Sequence, residues 1–308
     1  MKELLILIVF ISLLLSCKNT SLEIYSEEGT KEINGTKLYY KVVGKGEPFL
    51  VIHGGPGLNH KYLFPNLQFL TDRYQLIFYD QRASGRSSLE LDTNSVTIDN
   101  FIQDIDELRN IFGIEKLNIM AHSWGGLLAM KYAIKHPENT KSLILINSVG
   151  ASSEIGIIAN QILSERFTIE DSINRAEIIQ TNDFKKRELN AIEALMKIGF
   201  KHQFFNTVFI DSLNLSLNED YIKTSQLLQN LAKDLTEYDF HSELKKIQSP
   251  TLLIYGSHDP LTELAGTRIH ESIDKSEFKI LNNCGHFPFI EKKEEFKRTV
   301  IDFIEVNR

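Results

Sequence analysis

The ten residues Leu117–Gly126, LNIMAHSWGG, decide the fold. The apolar run Leu117–Ala121 predicts a buried strand, and a helical pattern follows over Gly126–His136 until Pro137. Ser123 therefore lies in a tight turn between a strand and a helix, which is the position of an exposed nucleophilic serine. Such a turn requires small neighbours, and three of them flank the serine: Ala121, Gly125 and Gly126.

Strands and helices alternate on both sides of this turn. Six further apolar or β-rich runs predict strands: Thr36–Val43, Pro48–His53, Tyr74–Tyr79, Leu143–Ile146, Thr251–Tyr255 and Phe278–Leu281. Helical spacing marks Ile98–Phe112, with Thr97 as its N-cap and Gly113 as its stop, and Glu294–Val306 at the end of the chain. This alternation predicts an α/β fold with a mostly parallel sheet that is covered on both faces.

Residues 149–242 interrupt the alternation. They contain no apolar run as strong as the predicted strands, and their apolar residues follow a helical period. We therefore predict a helical cap at 149–242, inserted into a core formed by residues 17–148 and 243–308.

Composition narrows the classes of function. The chain has 308 residues, 34 Lys and Arg against 41 Asp and Glu, and a net charge of −7, which argues against a nucleic-acid partner. Its 42% hydrophobic and 24% charged residues are typical of a folded globular protein. The nine His residues form no H-E-x-x-H motif or Cys/His cluster, and the chain has no G-x-G-x-x-G or Walker sequence. We therefore expect neither a metal nor a nucleotide cofactor.

The N-terminus is a separate kind of sequence. A short charged start precedes the apolar run Leu4–Leu15, which is too short to span a bilayer. Cys17 follows Leu-Leu-Ser directly, as in a bacterial lipoprotein signal, so we predict cleavage after residue 16 and lipid attachment at Cys17. The alternative is an uncleaved anchor helix. Lys18–Glu28 would be a polar tether, Cys284 would have no disulfide partner, and the protein would be bound to a membrane of the bacterial cell envelope.

A glycine-rich loop follows the predicted strand Pro48–His53. The sequence His53–Gly57, HGGPG, lets the backbone approach a ligand closely. A loop at this place supplies one N–H of an oxyanion hole, and the residue after the nucleophile supplies the other. We assign these donors to Gly55, in preference to Gly54, and to Trp124. The alternative is a glycine turn without a catalytic role.

A nucleophilic Ser123 needs an acidic and a basic residue to act with it, and the sequence offers both. Asp259 follows the predicted strand Thr251–Tyr255, and His286 follows the strand Phe278–Leu281. A serine needs a base to accept its proton, and the imidazole needs a carboxylate to fix its tautomer. The order Ser123, Asp259, His286 is that of the α/β-hydrolases. Three further residues are rival candidates for the base and acid roles: His122, His258 and Asp80.

Three motifs together resemble the prolyl aminopeptidase (proline iminopeptidase) branch of the α/β-hydrolases: HGGPG at His53–Gly57, DQRASGRS at Asp80–Ser87 and HSWGG at His122–Gly126. The resemblance extends from about Lys37 to Ile304. It implies an eight-stranded α/β-hydrolase sheet with a helical cap, no cofactor, the triad Ser123, Asp259 and His286, and Gly55 and Trp124 at the oxyanion hole.

The chain departs from this family at two positions, where Ala83 and Ala121 replace glycine. The resemblance also implies that carboxylates of the cap bind the amino group of the substrate. The cap offers several candidates, none of which matches a family residue: Glu154, Glu165, Glu188, Glu193, Glu219, Asp220 and Glu237.

The first hypothesis is a serine hydrolase that removes an N-terminal residue, preferably proline, from small peptides through an acyl-enzyme. A second keeps the triad and changes the substrate to an ester, a lactone, an amide or a C–C bond without amine recognition. A third, of another class, is a surface-anchored binding protein on a hydrolase scaffold.

Overall fold

A computed structural model describes residues 25–307, which contain a single eight-stranded sheet. The strands are β1 Ser26–Ile33, β2 Thr36–Val43, β3 Glu47–Ile52, β4 Tyr74–Tyr79, β5 Leu117–His122, β6 Thr140–Ile146, β7 Thr251–Gly256 and β8 Ser276–Leu281. Their order in the sheet is β1-β2-β4-β3-β5-β6-β7-β8. Only β1–β2 and β2–β4 pair antiparallel. The mostly parallel α/β sheet predicted from the sequence is confirmed, and so are the eight strands that the family resemblance implies.

One strand was not predicted. Ser26–Glu28 belong to β1 instead of a polar tether, because β1 pairs with β2 along its whole length. β1 is an edge strand, and Ile33 is its only buried residue. A sequence without apolar alternation gives no periodic signal. Backbone pairing with β2 holds this strand in place, together with side-chain hydrogen bonds such as that from the Tyr39 hydroxyl to Glu28.

The central strands are buried on both faces. Along β3, Phe49 and Val51 belong to one hydrophobic cluster, whereas Leu50 and Ile52 belong to the cluster on the opposite face. This alternation explains the continuous apolar runs of the sequence, since both faces of a parallel sheet are covered.

Residues 25–307 contain twelve α-helices. They are α1 Phe64–Leu67, α2 Ile98–Ile111, α3 Trp124–Lys135, α4 Ser153–Glu165, α5 Ile169–Gln180, α6 Asn182–Lys185, α7 Leu189–Lys201, α8 Tyr221–Leu228, α9 Ala232–Leu235, α10 Thr267–Ser272, α11 Pro288–Glu291 and α12 Lys293–Val306. Thr97 caps α2, since its side chain accepts a hydrogen bond from Asn100 N–H at 3.3 Å.

Helices α4–α9 lie between β6 and β7 in the chain. The two ends of this helical segment meet at a bridge between Ser152 and Asp239. Ser153 N–H donates to the Tyr238 carbonyl at 2.9 Å, and Phe240 N–H donates to the Ala151 carbonyl at 2.9 Å. We use "cap" for residues 149–242 below, and these bounds stay a prediction.

A buried ion pair fixes the segment after β4. The Arg82 side chain is fully buried and donates from Nε and Nη2 to the two oxygens of Asp104 on α2, at 2.7 and 2.6 Å. Two parallel bonds of this kind hold both groups in one geometry.

Asp104→Ala leaves the Arg82 charge buried without its partner, so we expect the free energy of unfolding to fall by about 3–5 kcal/mol. Urea denaturation followed by circular dichroism measures this change. Asp99→Ala, on the exposed side of the same helix, is the control and should cost less than about 0.5 kcal/mol. Equal losses in the two variants would contradict the structural role of the pair.

Candidate active site

Ser123 occupies a sharp turn between β5 and α3. Its backbone lies at φ 54° and ψ −121°, a conformation that non-glycine residues rarely adopt. A Cβ at Gly125 would lie 2.6 Å from the Ile52 carbonyl, and a Cβ at Gly126 would lie 2.2 Å from the Ser148 hydroxyl. Both positions therefore require glycine, as the tight turn in the sequence predicted.

His286 and Asp259 form a buried pair. Asp259 Oδ2 lies 2.5 Å from His286 Nδ1 and accepts a hydrogen bond from Asn147 Nδ2 at 2.6 Å, and Asp259 Oδ1 accepts from Leu261 N–H at 2.9 Å. Burial alone would raise the pKa of the Asp259 carboxyl, but His286 and these N–H donors hold that pKa below its usual range. The carboxylate stays charged and fixes the Nδ1–H tautomer of His286.

Ser123, Asp259 and His286 line one cavity of about 190 Å³. Their strands end at the same edge of the sheet, which brings residues from three distant stretches of sequence together. No hydrogen bond joins the Ser123 hydroxyl to His286 within residues 25–307. The remaining lining residues are Val149, Gly156, Ala159, Asn160, Leu163, Gln203, Pro260 and Leu261.

The glycine loop contains two candidate oxyanion donors, the N–H groups of Gly54 and Gly55, and they differ in whether they already have a partner. Gly54 N–H donates to the Tyr62 hydroxyl at 2.7 Å, so it is already engaged. Gly55, at φ 129°, donates its N–H to no group of residues 25–307. Trp124 is the first residue of α3, where N–H groups have no partner within the helix. Gly55 and Trp124 are therefore the available donors.

A buried hydrogen-bond chain connects the glycine loop to the loop of the base. The Tyr62 hydroxyl lies 2.7 Å from His122 Nδ1, and His122 Nε2 lies 2.9 Å from the His286 carbonyl. Burial lowers the pKa of His122 well below its ordinary value, so its ring is neutral, and the carbonyl acceptor requires the proton on Nε2. His122 thus holds the base loop and does not line the cavity.

His258 and Asp80 also lie outside the cavity lining. His258 stacks edge-on against Phe205, and its ring is not part of the wall around Ser123. Asp80 is buried and accepts hydrogen bonds from the N–H groups of His60 and Arg86 at 2.9 and 2.8 Å. Asp80 therefore holds the loop that follows β4.

Gln81 ties the glycine loop to the nucleophile turn. Its side-chain amide donates to the His53 carbonyl at 2.6 Å and accepts from the Trp124 indole N–H at 2.8 Å. Sequence reasoning missed the roles of Gln81, Tyr62 and Asn147. No motif marks Tyr62, but Asn147 directly follows β6, as Ser123 directly follows β5, and that position was a usable signal.

The cap holds the base loop from the other side. His286 N–H donates to the Gln203 carbonyl at 2.7 Å, and a Cβ at Gly285 would lie 2.0 Å from the same oxygen. Arg166 donates to the carbonyls of His202, in the cap, and His258, in the core, at 3.0 and 2.9 Å. The geometry of the site thus depends on contacts that cross between cap and core.

Neither a metal-binding cluster nor a membrane-spanning helix is found in residues 25–307. No group of three or more His, Cys, Asp or Glu side chains in this range is placed to hold a metal ion. No helix there has both the length and the apolar character needed to cross a membrane. Cys284 is buried with a free thiol, whose pKa is raised by burial. Cys17 lies outside the described residues.

Asn147→Ala removes one N–H donor from the carboxylate that orients His286. A hydrogen bond to a charged group is worth about 1.5–3 kcal/mol. We therefore expect kcat to fall by about tenfold to a hundredfold, with KM unchanged, in steady-state assays. Asn174→Ala, on the exposed helix α5, is the matched control. An unchanged kcat for Asn147→Ala would show that this amide does not position the acid.

Comparison with known proteins identifies the family. Residues 47–293 match the alpha/beta hydrolase fold family, and the chain belongs to it. A proline iminopeptidase of Saccharolobus solfataricus is 27% identical, over 91% of this chain and 92% of that protein. A proline iminopeptidase of Lactobacillus acidophilus is 28% identical, over 91% of this chain and 98% of that protein. An esterase of Exiguobacterium antarcticum shares the fold with a TM-score of 0.68 and 23% identity, over 91% of this chain and 100% of that one.

Proposed function

We propose that this protein is a serine hydrolase of the proline iminopeptidase type, which removes an N-terminal residue, preferably proline, from small peptides. The observation that carries the proposal is the buried pair of Asp259 and His286, which lines one cavity with Ser123. The two proline iminopeptidases that align along nine tenths of this chain support the substrate class.

In the proposed reaction, Ser123 Oγ attacks the carbonyl carbon of the first peptide bond while His286 Nε2 accepts the hydroxyl proton. Asp259 stabilises the imidazolium that forms. The hydrogen bond from the Ser123 hydroxyl to His286 Nε2 would form when substrate binds, because catalytic hydrogen bonds tighten in the reacting complex. The N–H groups of Gly55 and Trp124 bind the oxyanion, at about 3–4 kcal/mol for each donor.

The tetrahedral intermediate then breaks its C–N bond. His286 gives its proton to the leaving amine, and the acyl group stays on Ser123 as an ester. Water enters, loses a proton to His286 and attacks this ester. The second intermediate releases the free amino acid, and the proton returns from His286 to Ser123 Oγ.

Hydrolysis of L-prolyl para-nitroanilide by the full-length protein tests the proposal. N-acetyl-prolyl para-nitroanilide and a short-chain aryl ester are the comparison substrates. We expect cleavage of the prolyl substrate and little cleavage of the acetylated one, because an enzyme that removes an N-terminal residue acts on a substrate whose first residue has a free amine. Cleavage of the ester alone would keep the triad and contradict the peptidase activity.

We also propose that Cys17 carries a lipid anchor in a membrane of the bacterial cell envelope. The support is the sequence Leu4–Cys17. Tyr25 lies beside Gly44, near the amino ends of the parallel strands, whereas Ser123 follows a carboxyl end. Mass spectrometry of the mature N-terminus tests this proposal, and an intact, unmodified Met1 would contradict it.

A further inference from the structure

A short stretch of the cap contacts both of the loops that carry the acid and the base. Residues 202–206, which we name the docking segment, connect α7 to the 3₁₀ helix Thr207–Ser212. The acid loop, residues 257–261, follows β7, and the base loop, residues 282–287, follows β8. Backbone hydrogen bonds, aromatic rings and two charged side chains connect the docking segment to these two loops.

The base loop is bound directly to the docking segment. His286 N–H donates to the Gln203 carbonyl at 2.7 Å, and a Cβ at Gly285 would lie 2.0 Å from that oxygen. The Phe204 ring stacks on the Phe287 ring, with their centroids 4.7 Å apart and their planes at 18°. The catalytic histidine is therefore held at its backbone by the cap and at its ring by the acid.

Glu291, on α11 of the core, connects the base loop to the far end of the docking segment. Its Oε2 accepts a hydrogen bond from Gly285 N–H at 2.6 Å, and its Oε1 accepts one from Asn206 N–H at 3.0 Å. Hydrogen bonds to an ionised acceptor are about twice as strong as those between neutral groups. One carboxylate thus binds a core loop and a cap segment at the same time.

Arg166, at the end of α4, connects the acid loop to the near end of the docking segment. Its Nη1 donates to the His202 carbonyl at 3.0 Å, and its Nη2 donates to the His258 carbonyl at 2.9 Å. His258 directly precedes Asp259, and its ring also lies edge-on against the Phe205 ring, with centroids 5.6 Å apart. The planar guanidinium fixes the two carbonyls in one geometry.

The acid and base loops are also bonded to each other, since His258 N–H donates to the Cys284 carbonyl at 2.8 Å. A shift of the docking segment therefore moves both loops or leaves their donors without acceptors. The same cap segment encloses the substrate, because Gln203 lines the cavity together with Ser123 and His286. Closure of the cavity and alignment of the acid with the base thus depend on one set of contacts.

We propose that docking of residues 202–206 aligns Asp259 and His286 for catalysis, and that Arg166 and Glu291 are the positioning residues that hold the docked arrangement. The proposal rests on the proposed serine hydrolase and adds to it a dependence of the chemistry on the cap. Both side chains bond to the backbone of the loops, so they act through those loops and are not catalytic residues. A misplacement of about 1 Å can cost about a hundredfold in rate.

Arg166→Ala removes the bridge between the acid loop and the docking segment. We expect kcat for L-prolyl para-nitroanilide to fall by about tenfold to a hundredfold, with little change in KM, because alignment is lost. Ethylguanidinium at millimolar concentration should restore part of the lost kcat, since it can donate to the same two carbonyls. Arg175→Ala, on the exposed helix α5, is the control and should keep the wild-type kcat with or without the added ion.

Glu291→Gln keeps the size of the side chain and places an NH₂ group against one of the two N–H donors. We expect kcat to fall by about tenfold or more, as for the loss of one hydrogen bond to a charged group. Glu294→Gln, at an exposed position on α12, is the matched control and should keep the wild-type kcat.

Reaction with a fluorophosphonate separates this inference from the proposed substrate class, because the probe contains neither an amine nor a peptide bond. We expect Ser123 to react at least about tenfold more slowly in Arg166→Ala and in Glu291→Gln than in wild type, with ethylguanidinium accelerating only the first. If wild type cleaves no prolyl anilide while these probe rates hold, the substrate class fails and the inference stands. Wild-type probe rates in both variants, or a slow Arg166→Ala that the ion does not accelerate, would overturn the inference.

Discussion

Ser123→Ala is expected to lower kcat for the prolyl anilide by about 10⁶-fold, because removal of the nucleophile abolishes the acyl-enzyme route. The oxyanion donors and the binding cavity would remain and sustain a small residual rate. The fold should not change, since alanine occupies the turn with no more steric demand than serine and the neighbouring glycines keep their contacts. Steady-state kinetics and thermal denaturation measure the two quantities.

Ser272→Ala is the control for this substitution. Ser272 lies on α10, outside the cavity, and its hydroxyl bonds only to the Arg268 carbonyl. We expect wild-type activity from that variant. Retention of more than about one per cent of wild-type activity by Ser123→Ala would show that another group attacks the substrate.

Asp259→Asn is expected to lower kcat by about 10⁴-fold, since an amide cannot hold the imidazole in its working tautomer. The hydrogen-bond donors around the Asp259 carboxylate explain why the amide would fail. Asp259 Oδ2 faces the N–H groups of His286 and Asn147, and Oδ1 faces Leu261 N–H. An NH₂ group at either oxygen position would point a donor at a donor.

The same conflict should destabilise the Asp259→Asn protein by about 1–3 kcal/mol, because a buried donor is left without an acceptor. Asp274→Asn, at an exposed position before β8, is the control for both readouts. If Asp259→Asn keeps more than about a tenth of the wild-type kcat, Asp259 does not orient the base.

The strands that position the site could be predicted because they are buried on both faces of the sheet, and a continuous apolar run is typical of such a strand. Leu50 and Ile52 face one side of the sheet and Phe49 and Val51 the other, so the whole run is apolar. The turn at Ser123 combines a buried strand, a helix and glycines in close backbone contact, and each of these features has its own sequence signal.

The polar framework of the site could not be predicted in the same way. Tyr62 and Asn147 act through hydrogen bonds to His122 and Asp259, which are distant from them in sequence, and no spacing rule connects such partners. The missed strand β1 has a related cause. Its backbone pairs with β2, its Glu27 and Glu28 side chains accept hydrogen bonds from Tyr40 and Tyr39, and neither kind of contact produces an apolar period. Which cap side chains line the cavity depends on how the cap packs against the core, and no pattern within the cap sequence specifies that packing.

The central claim is that Ser123 is a nucleophile activated by His286. Reaction of the full-length protein with a fluorophosphonate probe, followed by mass spectrometry of its peptides, tests this claim most directly. We expect one adduct, on the peptide that contains Ser123, and no adduct in Ser123→Ala. Failure of the folded wild-type protein to react, or an adduct on another residue, would contradict the claim and favour a binding protein built on a hydrolase scaffold.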